Sequence, residues 1–183
     1  MKKKLFYEAT IKEILENQSF FDDFTNLVRY LNPKNVYEVP ELMTFAWGKI
    51  KEWQRLFNTK QFDSEDLVRL FTEFTGKKQE EIEKLLAINF FYQIKWILGE
   101  LEKLSLKEIS NLSVQLTPEE IEAGFEDMNK FGYKATTDAL ALGNVLKWDE
   151  IEAEPYHKIF TKLLIQKTKA EIDKKYSKIL YKK

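Results

Sequence analysis

Leu85-Leu86-Ala87-Ile88-Asn89-Phe90-Phe91-Tyr92-Gln93-Ile94-Lys95-Trp96-Ile97-Leu98 is the most apolar stretch of the chain. At helical spacing, Ile82, Leu85, Leu86, Asn89, Phe90, Gln93, Trp96 and Ile97 fall on one side, with Phe91, Ile94 and Leu98 flanking them. A helix apolar over most of its circumference needs partners on several sides. This predicts an all-α fold, an irregular helical bundle around a central apolar helix at about residues 80–104. Phe90, Phe91, Ile94, Trp96 and Ile97 are expected to supply much of the core. The stretch is too broken for a membrane span, which needs about 20 apolar residues in a row. Glu83, Lys84, Asn89, Gln93 and Lys95 interrupt it, and Glu100, Glu102 and Lys103 close it.

Working outward, composition supports the same class. A chain of 183 residues suits one domain, and 44% hydrophobic with 14% aromatic residues is ample for a packed core. Six Gly and four Pro leave little material for the turns of an all-β fold. With no cysteine, disulfides and thiolate metal sites are excluded. The basic start Met1-Lys2-Lys3-Lys4 reaches Glu8 before any apolar run forms, so no signal peptide is read and a cytoplasmic location is expected.

Toward the N-terminus, a first helix is expected over about residues 8–17, burying Ile11, Ile14 and Leu15. A second is expected to be capped by Ser19 and to carry Phe20, Phe24, Leu27, Val28 and Leu31 until Asn32-Pro33 stops it. Residues 35–39 alternate, which allows at most one short strand pair near 36–45. Between Pro40 and Phe57 the spacing reads as one helix, or as an extended piece at Thr44-Phe45-Ala46-Trp47-Gly48 followed by a shorter helix. Asp63 or Ser64 caps the next helix and Gly76 terminates it. The central helix, broken near Asn89 on one reading, fades through Ser105 and Ser110-Asn111.

Toward the C-terminus, residues 112–116 form a connector. It divides the chain into an N-terminal helical body, 1–111, and a C-terminal helical segment, 112–183, unless the two are continuous. Thr117-Pro118-Glu119-Glu120 is the clearest helix start: Thr117 caps, Pro118 supplies its fixed φ, and Glu120 completes a capping box. That helix is expected to carry Ile121, Phe125 and Met128 as far as Phe131-Gly132. Shorter helices follow over 137–142 and 148–153. Pro155 opens the last helix, whose first half buries Tyr156, Ile159, Phe160, Leu163 and Leu164. No internal repeat stands out.

Chemical signatures are sparse. The glycines are scattered singly, so neither a phosphate loop nor a dinucleotide fingerprint can be drawn. His157 is the single histidine. Glu154-Pro155-Tyr156-His157 has the Glu-x-x-His spacing of bundle di-iron sites, but those need two such pairs. No residue argues for catalysis, and no metal or cofactor is expected. The net charge of −1 and a pI near 6.0 weigh against a dedicated nucleic-acid binder.

That balance hides a polarised end. Residues 117–154 carry Glu119, Glu120, Glu122, Glu126, Asp127, Asp138, Asp149, Glu150, Glu152 and Glu154 against Lys130, Lys134 and Lys147. After Pro155 the sign reverses, with Lys158, Lys162, Lys167, Lys169, Lys174, Lys175, Lys178, Lys182 and Lys183 against Glu171 and Asp173. The charges either neutralise one another within the fold or set the polarity of an assembly. In the last helix the apolar positions thin to Ile172, Tyr176, Ile179 and Leu180. This is the pattern either of a helix that docks at its start and projects at its end or of a terminus that frays. Ile172, Tyr176 and Ile179 are the expected partner-binding residues, meeting a second copy or a client.

Several phrases resemble tailed-bacteriophage proteins. They are Ala123-Gly124, Lys130-Phe131-Gly132, Asp138-Ala139-Leu140-Ala141, Lys147-Trp148-Asp149-Glu150, Pro155-Tyr156 and Phe160-Thr161-Lys162-Leu163-Leu164. Upstream, Val39-Pro40-Glu41-Leu42-Met43-Thr44-Phe45 and Leu67-Val68-Arg69-Leu70-Phe71 look like the front half of phage tail assembly chaperones. The resemblance implies a non-enzymatic protein that escorts a long tape-measure-type client, with self-association along it. A structural or adaptor component of a virion is the alternative, and a small helical nucleic-acid-binding regulator a third. No functional residue transfers from the family.

Overall fold

A computed structural model describes residues 8–16, 30–59 and 62–181 of the chain, and the expected second helix around Phe20 to Leu27 lies outside them. The protein is 74% helical, and the described residues hold no strand, which makes the fold all-α. Among the described residues the α-helices are α1 (Ile11–Leu15), α2 (Trp47–Thr59), α3 (Ser64–Thr75), α4 (Gln79–Ile82) and α5 (Ala87–Leu112). They continue with α6 (Pro118–Glu122), α7 (Tyr133–Leu140), α8 (Trp148–Ala153) and α9 (Tyr156–Leu180). Among the described residues 3-10 turns lie at Leu42–Thr44, Phe125–Phe131 and Val145–Lys147. The residues group into two compact units, one of Met1–Glu41 with Trp53–Lys103 and the other of Leu42–Glu52 with Leu104–Lys183.

In the first unit the apolar stretch is divided. α4 stops at Ile82 and α5 starts at Ala87, so the break falls before Asn89, and α5 runs on to Leu112 past the expected end near 104. The break alters the helical phase. Leu86, expected on the buried side, is exposed, while Ala87, Phe90, Phe91, Ile94, Ile97 and Leu101 form the buried face at spacings of three and four. Phe71 of α3 stacks on Phe90 at 4.7 Å, and Phe91 meets Phe90 edge-on at 5.3 Å. Trp96 is only half-buried, a correction to its expected core place. The tryptophans sealed from water are Trp47 and Trp53.

Residues 35–39 are a loop, not a strand, because side chains take up the backbone groups that a strand partner would need. Asn35 Oδ1 accepts from Val39 N–H at 2.9 Å and Asn35 Nδ2 donates to the Val39 carbonyl at 2.8 Å. Gln93, fully buried on α5, donates to Asn35 Oδ1 and accepts from Tyr37 N–H at 2.9 Å. A buried amide with partners at both ends fixes the loop against the helix. α3 is bounded as read from sequence: Asp63 accepts from Asp66 N–H, and Gly76 closes it at φ 71°.

In each unit two helix starts that are distant in sequence are tied by one β-bridge. Thr10 pairs with Leu86 in the first unit and Ala46 with Pro155 in the second, each residue lying immediately before a helix. In the second unit Trp47 N–H donates to the Glu154 carbonyl at 2.7 Å and Tyr156 N–H to the Phe45 carbonyl at 2.8 Å. The two rings then lie 5.5 Å apart. Ala46-Trp47-Gly48-Lys49-Ile50 and Pro155-Tyr156-His157-Lys158-Ile159 match in pattern around this bridge, a short internal likeness too brief to stand out as a repeat. Neither reading of residues 44–48 holds as a whole: Thr44 ends a 3-10 turn and Trp47 and Gly48 already begin α2, so the helix is shorter than one starting at Pro40 but only Phe45 and Ala46 lie between the two.

Candidate partner-binding surface

The surface is built on α9, and its anchor is the buried start of that helix. Pro155 at the N-cap sets the entry, and Tyr156, Ile159 and Phe160 are buried in the second unit. The Tyr156 hydroxyl donates to Glu108 Oε1 at 2.7 Å, and the other oxygen of Glu108 pairs with Lys51 at 2.7 Å. Burial, reinforced by the Glu108 carboxylate, holds the Tyr156 hydroxyl well above the ordinary tyrosine pKa. The Lys51 ammonium lies 5.1 Å from the centre of the Trp47 ring. These polar groups satisfy one another beneath the helix start.

Docking continues as far as Lys167. Its ammonium donates to the carbonyls of Asn111 at 2.8 Å and Ser113 at 3.1 Å, capping the end of α5, where the helix dipole favours a cation. Leu163 is half-buried, but Leu164, expected to be buried, is exposed. From Thr168 to Tyr181 every residue is exposed, a reach of about 20 Å at 1.5 Å per helical residue. Ile172, Tyr176 and Ile179 are 58%, 61% and 66% exposed.

These residues do not prolong the docked face. At about 100° per residue, Tyr156, Ile159, Phe160, Leu163 and Lys167 share one sector of α9. Ile165, Ile172, Tyr176 and Ile179 share another, centred on the opposite side. The helix therefore carries two apolar stripes, one inward near its start and one outward toward its end. In sequence the second stripe reads as a thinning of the first, because the change is one of helical phase and not only of apolar density.

A second exposed apolar feature lies in the acidic segment. α6 starts as expected, with Thr117 accepting from Glu120 N–H and Glu120 bonding back to Thr117 N–H. It stops at Glu122, however, because Gly124 turns left-handed at φ 82°. The next seven residues, Phe125–Phe131, wind as a 3-10 helix that ends at Gly132. At three residues per turn, Phe125, Met128 and Phe131 line up on one ridge. They are 56%, 51% and 53% exposed, and Ile121 beside them is 49% exposed. One continuous helix carrying Ile121, Phe125 and Met128 was expected, and the left-handed glycine is what redirects them.

His157 is exposed, and its Nδ1 lies 3.0 Å from the Met43 carbonyl. A carbonyl only accepts, so Nδ1 carries the hydrogen and donates. Among the described residues no group of three or more His, Asp or Glu is placed to hold a metal ion. None of their helices is long and apolar enough to cross a membrane. No protein-family model, curated protein or solved structure matches the chain.

Proposed function

We propose that this chain is a non-enzymatic assembly protein of the tail-assembly-chaperone kind, acting in the cytoplasm of a host cell on an extended, tape-measure-type protein client. The observation that carries the reading is the outward stripe of Ile165, Ile172, Tyr176 and Ile179 on a helix whose opposite face is already docked. Such a helix offers an apolar line to a long partner without opening the core. Its lysines suit transient contacts, since charge at the rim of an interface steers encounter more than it tightens binding. The phrases along residues 123–164 that resemble phage tail proteins favour a phage client over an unrelated one.

The test is to produce a long helical tape-measure-type segment with the full chain, and separately with a chain lacking residues 168–183. The full chain should hold the segment in solution and co-purify with it. The shortened chain should keep its fold, because every residue removed through Tyr181 is exposed, yet lose the client. Equal recovery of the client with both chains overturns the reading. Mass spectrometry of finished particles separates the virion-component alternative, because an assembly factor is absent there and a component is present at fixed copy number.

A further inference from the structure

We infer that the outward stripe of α9 in one copy docks on the Phe125–Met128–Phe131 ridge of a second copy, giving a heterologous contact between unlike surfaces of the same chain. Three observations converge on this occupant. Both surfaces are apolar and exposed although the residues around them are strongly charged. Isolated exposed apolar residues need no explanation, but two ordered rows of them do.

The charges are opposite. In sequence Glu119, Glu122, Glu126 and Asp127 outnumber Lys130 along the ridge segment, and at helical spacing Lys162, Lys169 and Lys175 outnumber Asp173 beside the stripe. A copy meeting itself stripe to stripe would instead bring lysines against lysines, and ridge to ridge would bring acids against acids. Like-charge juxtaposition of that kind disfavours the symmetric pairings.

The lengths also agree. A 3-10 helix rises about 2.0 Å per residue, so Phe125 to Phe131 spans about 12 Å. An α-helix rises about 1.5 Å per residue, so Ile172 to Ile179 spans about 10 Å. Each row presents three apolar side chains over that distance. Met128 at the middle of the ridge is an adaptable contact for the ring of Tyr176. Within the ridge Lys130 lies over its neighbour Phe131 at 5.3 Å, so the aromatic already tolerates an ammonium on its face. The lysines of an incoming α9 would meet the same kind of surface.

Because the two surfaces differ, each copy has one of each. The contact either closes on itself in a small ring or reciprocal pair, or it continues from copy to copy. The inference does not depend on the chaperone reading, since it requires only a second copy; the stripe it uses is the one a client would meet, so a second copy and a client compete for it.

The test uses two variants, each with one surface disabled. Phe125→Glu/Phe131→Glu places charge on the ridge, and Ile172→Glu/Ile179→Glu places it on the stripe. All four positions are more than half exposed, so circular dichroism should show unchanged helix content in both. Mass in solution is measured by light scattering for the wild type, each variant and an equimolar mixture. The wild type should exceed the mass of one copy at high protein concentration and fall toward it as salt rises roughly tenfold, because exposed charges are then screened. Each variant alone should stay at one copy. The mixture should form a pair, in which the intact stripe of the ridge variant meets the intact ridge of the stripe variant. A wild type of one copy at every concentration overturns the inference. So does a ridge variant that associates as well as wild type, which would mean that stripe meets stripe. A mixture that stays at one copy while the wild type associates also overturns it.

Discussion

Replacing Gly48 and Gly99 by alanine, one at a time, should shift stability in opposite directions. Both glycines lie in α-helices, where alanine is intrinsically favoured by about 0.8–1.0 kcal/mol at an interior position. Around Gly99 an added Cβ meets nothing within 4 Å. Gly99→Ala should therefore stabilise by about 0.5–1 kcal/mol. At Gly48 the new Cβ would lie 2.8 Å from Glu152 Cβ and 3.3 Å from its Cγ. Glu152 has little room to yield: a Cβ moves only with its backbone, its carboxylate pairs with Lys134, and the Trp47 N–H bond to Glu154 closes the gap beside it. Overpacking of this kind costs about 1–3 kcal/mol, and Gly48, the second residue of α2, realises only about 0.5 kcal/mol of the interior propensity gain, so the net effect of Gly48→Ala is a loss of about 0.5–2.5 kcal/mol. At about 2–4 °C per kcal/mol for a chain of this size, Tm should fall by about 1–10 °C for Gly48→Ala and rise by a few degrees for Gly99→Ala. Thermal melts followed by far-UV dichroism, with the two variants beside wild type, read both shifts. If Gly48→Ala melts at or above the wild type, the close approach of α2 and α8 is wrong.

Three further outcomes follow from the packing. Trp53 is 1% exposed, donates from Nε1 to Glu73 at 2.8 Å and lies under the Arg69 guanidinium, so Trp53→Ala should cost about 3–5 kcal/mol in urea unfolding. Half-buried Trp96→Ala should cost clearly less, and equal losses would contradict the burial difference. Glu108→Ala strands Lys51 and the Tyr156 hydroxyl. Since the Lys51 and Glu108 side chains keep 17% and 15% of their surface, the loss should be about 2–3 kcal/mol, below that of a fully sealed pair, and a loss under about 0.5 kcal/mol would dismiss the triad. Tyr156 has a raised native pKa, so its contribution is fully present below the ordinary tyrosine value of about 10 and is lost as pH rises beyond it, at up to about 1.4 kcal/mol per unit. The stability gap between wild type and Tyr156→Phe should narrow above about pH 10, and a gap that stays constant would show that Tyr156 ionises normally.

Local signals in the chain were strong enough to be read without a structure wherever they involve neighbours in sequence. Thr117-Pro118-Glu119-Glu120 and Asp63 with Gly76 state their helix ends outright, because a cap bonds to backbone only three or four residues away. The all-α class followed from the apolar density of residues 85–98, which a bundle buries and a sheet of this glycine-poor chain does not. The thinning of apolar residues after Ile165 was legible too, and with it Ile172, Tyr176 and Ile179 as exposed candidates.

Tertiary structure decided what depends on contacts between distant residues. Residues 35–39 have a strand-like alternation, yet Gln93 and Asn35 take their hydrogen bonds and make them a loop. The bridges at Thr10–Leu86 and Ala46–Pro155 set where four helices begin, and one of them moves Leu86 out of the buried face. The left-handed turn at Gly124 converts an expected buried helical face into an exposed ridge. Helical periodicity shows which residues share a side. Only packing against partners far along the chain determines whether that side faces protein or water, because burial free energy belongs to the pair of surfaces and not to either sequence alone.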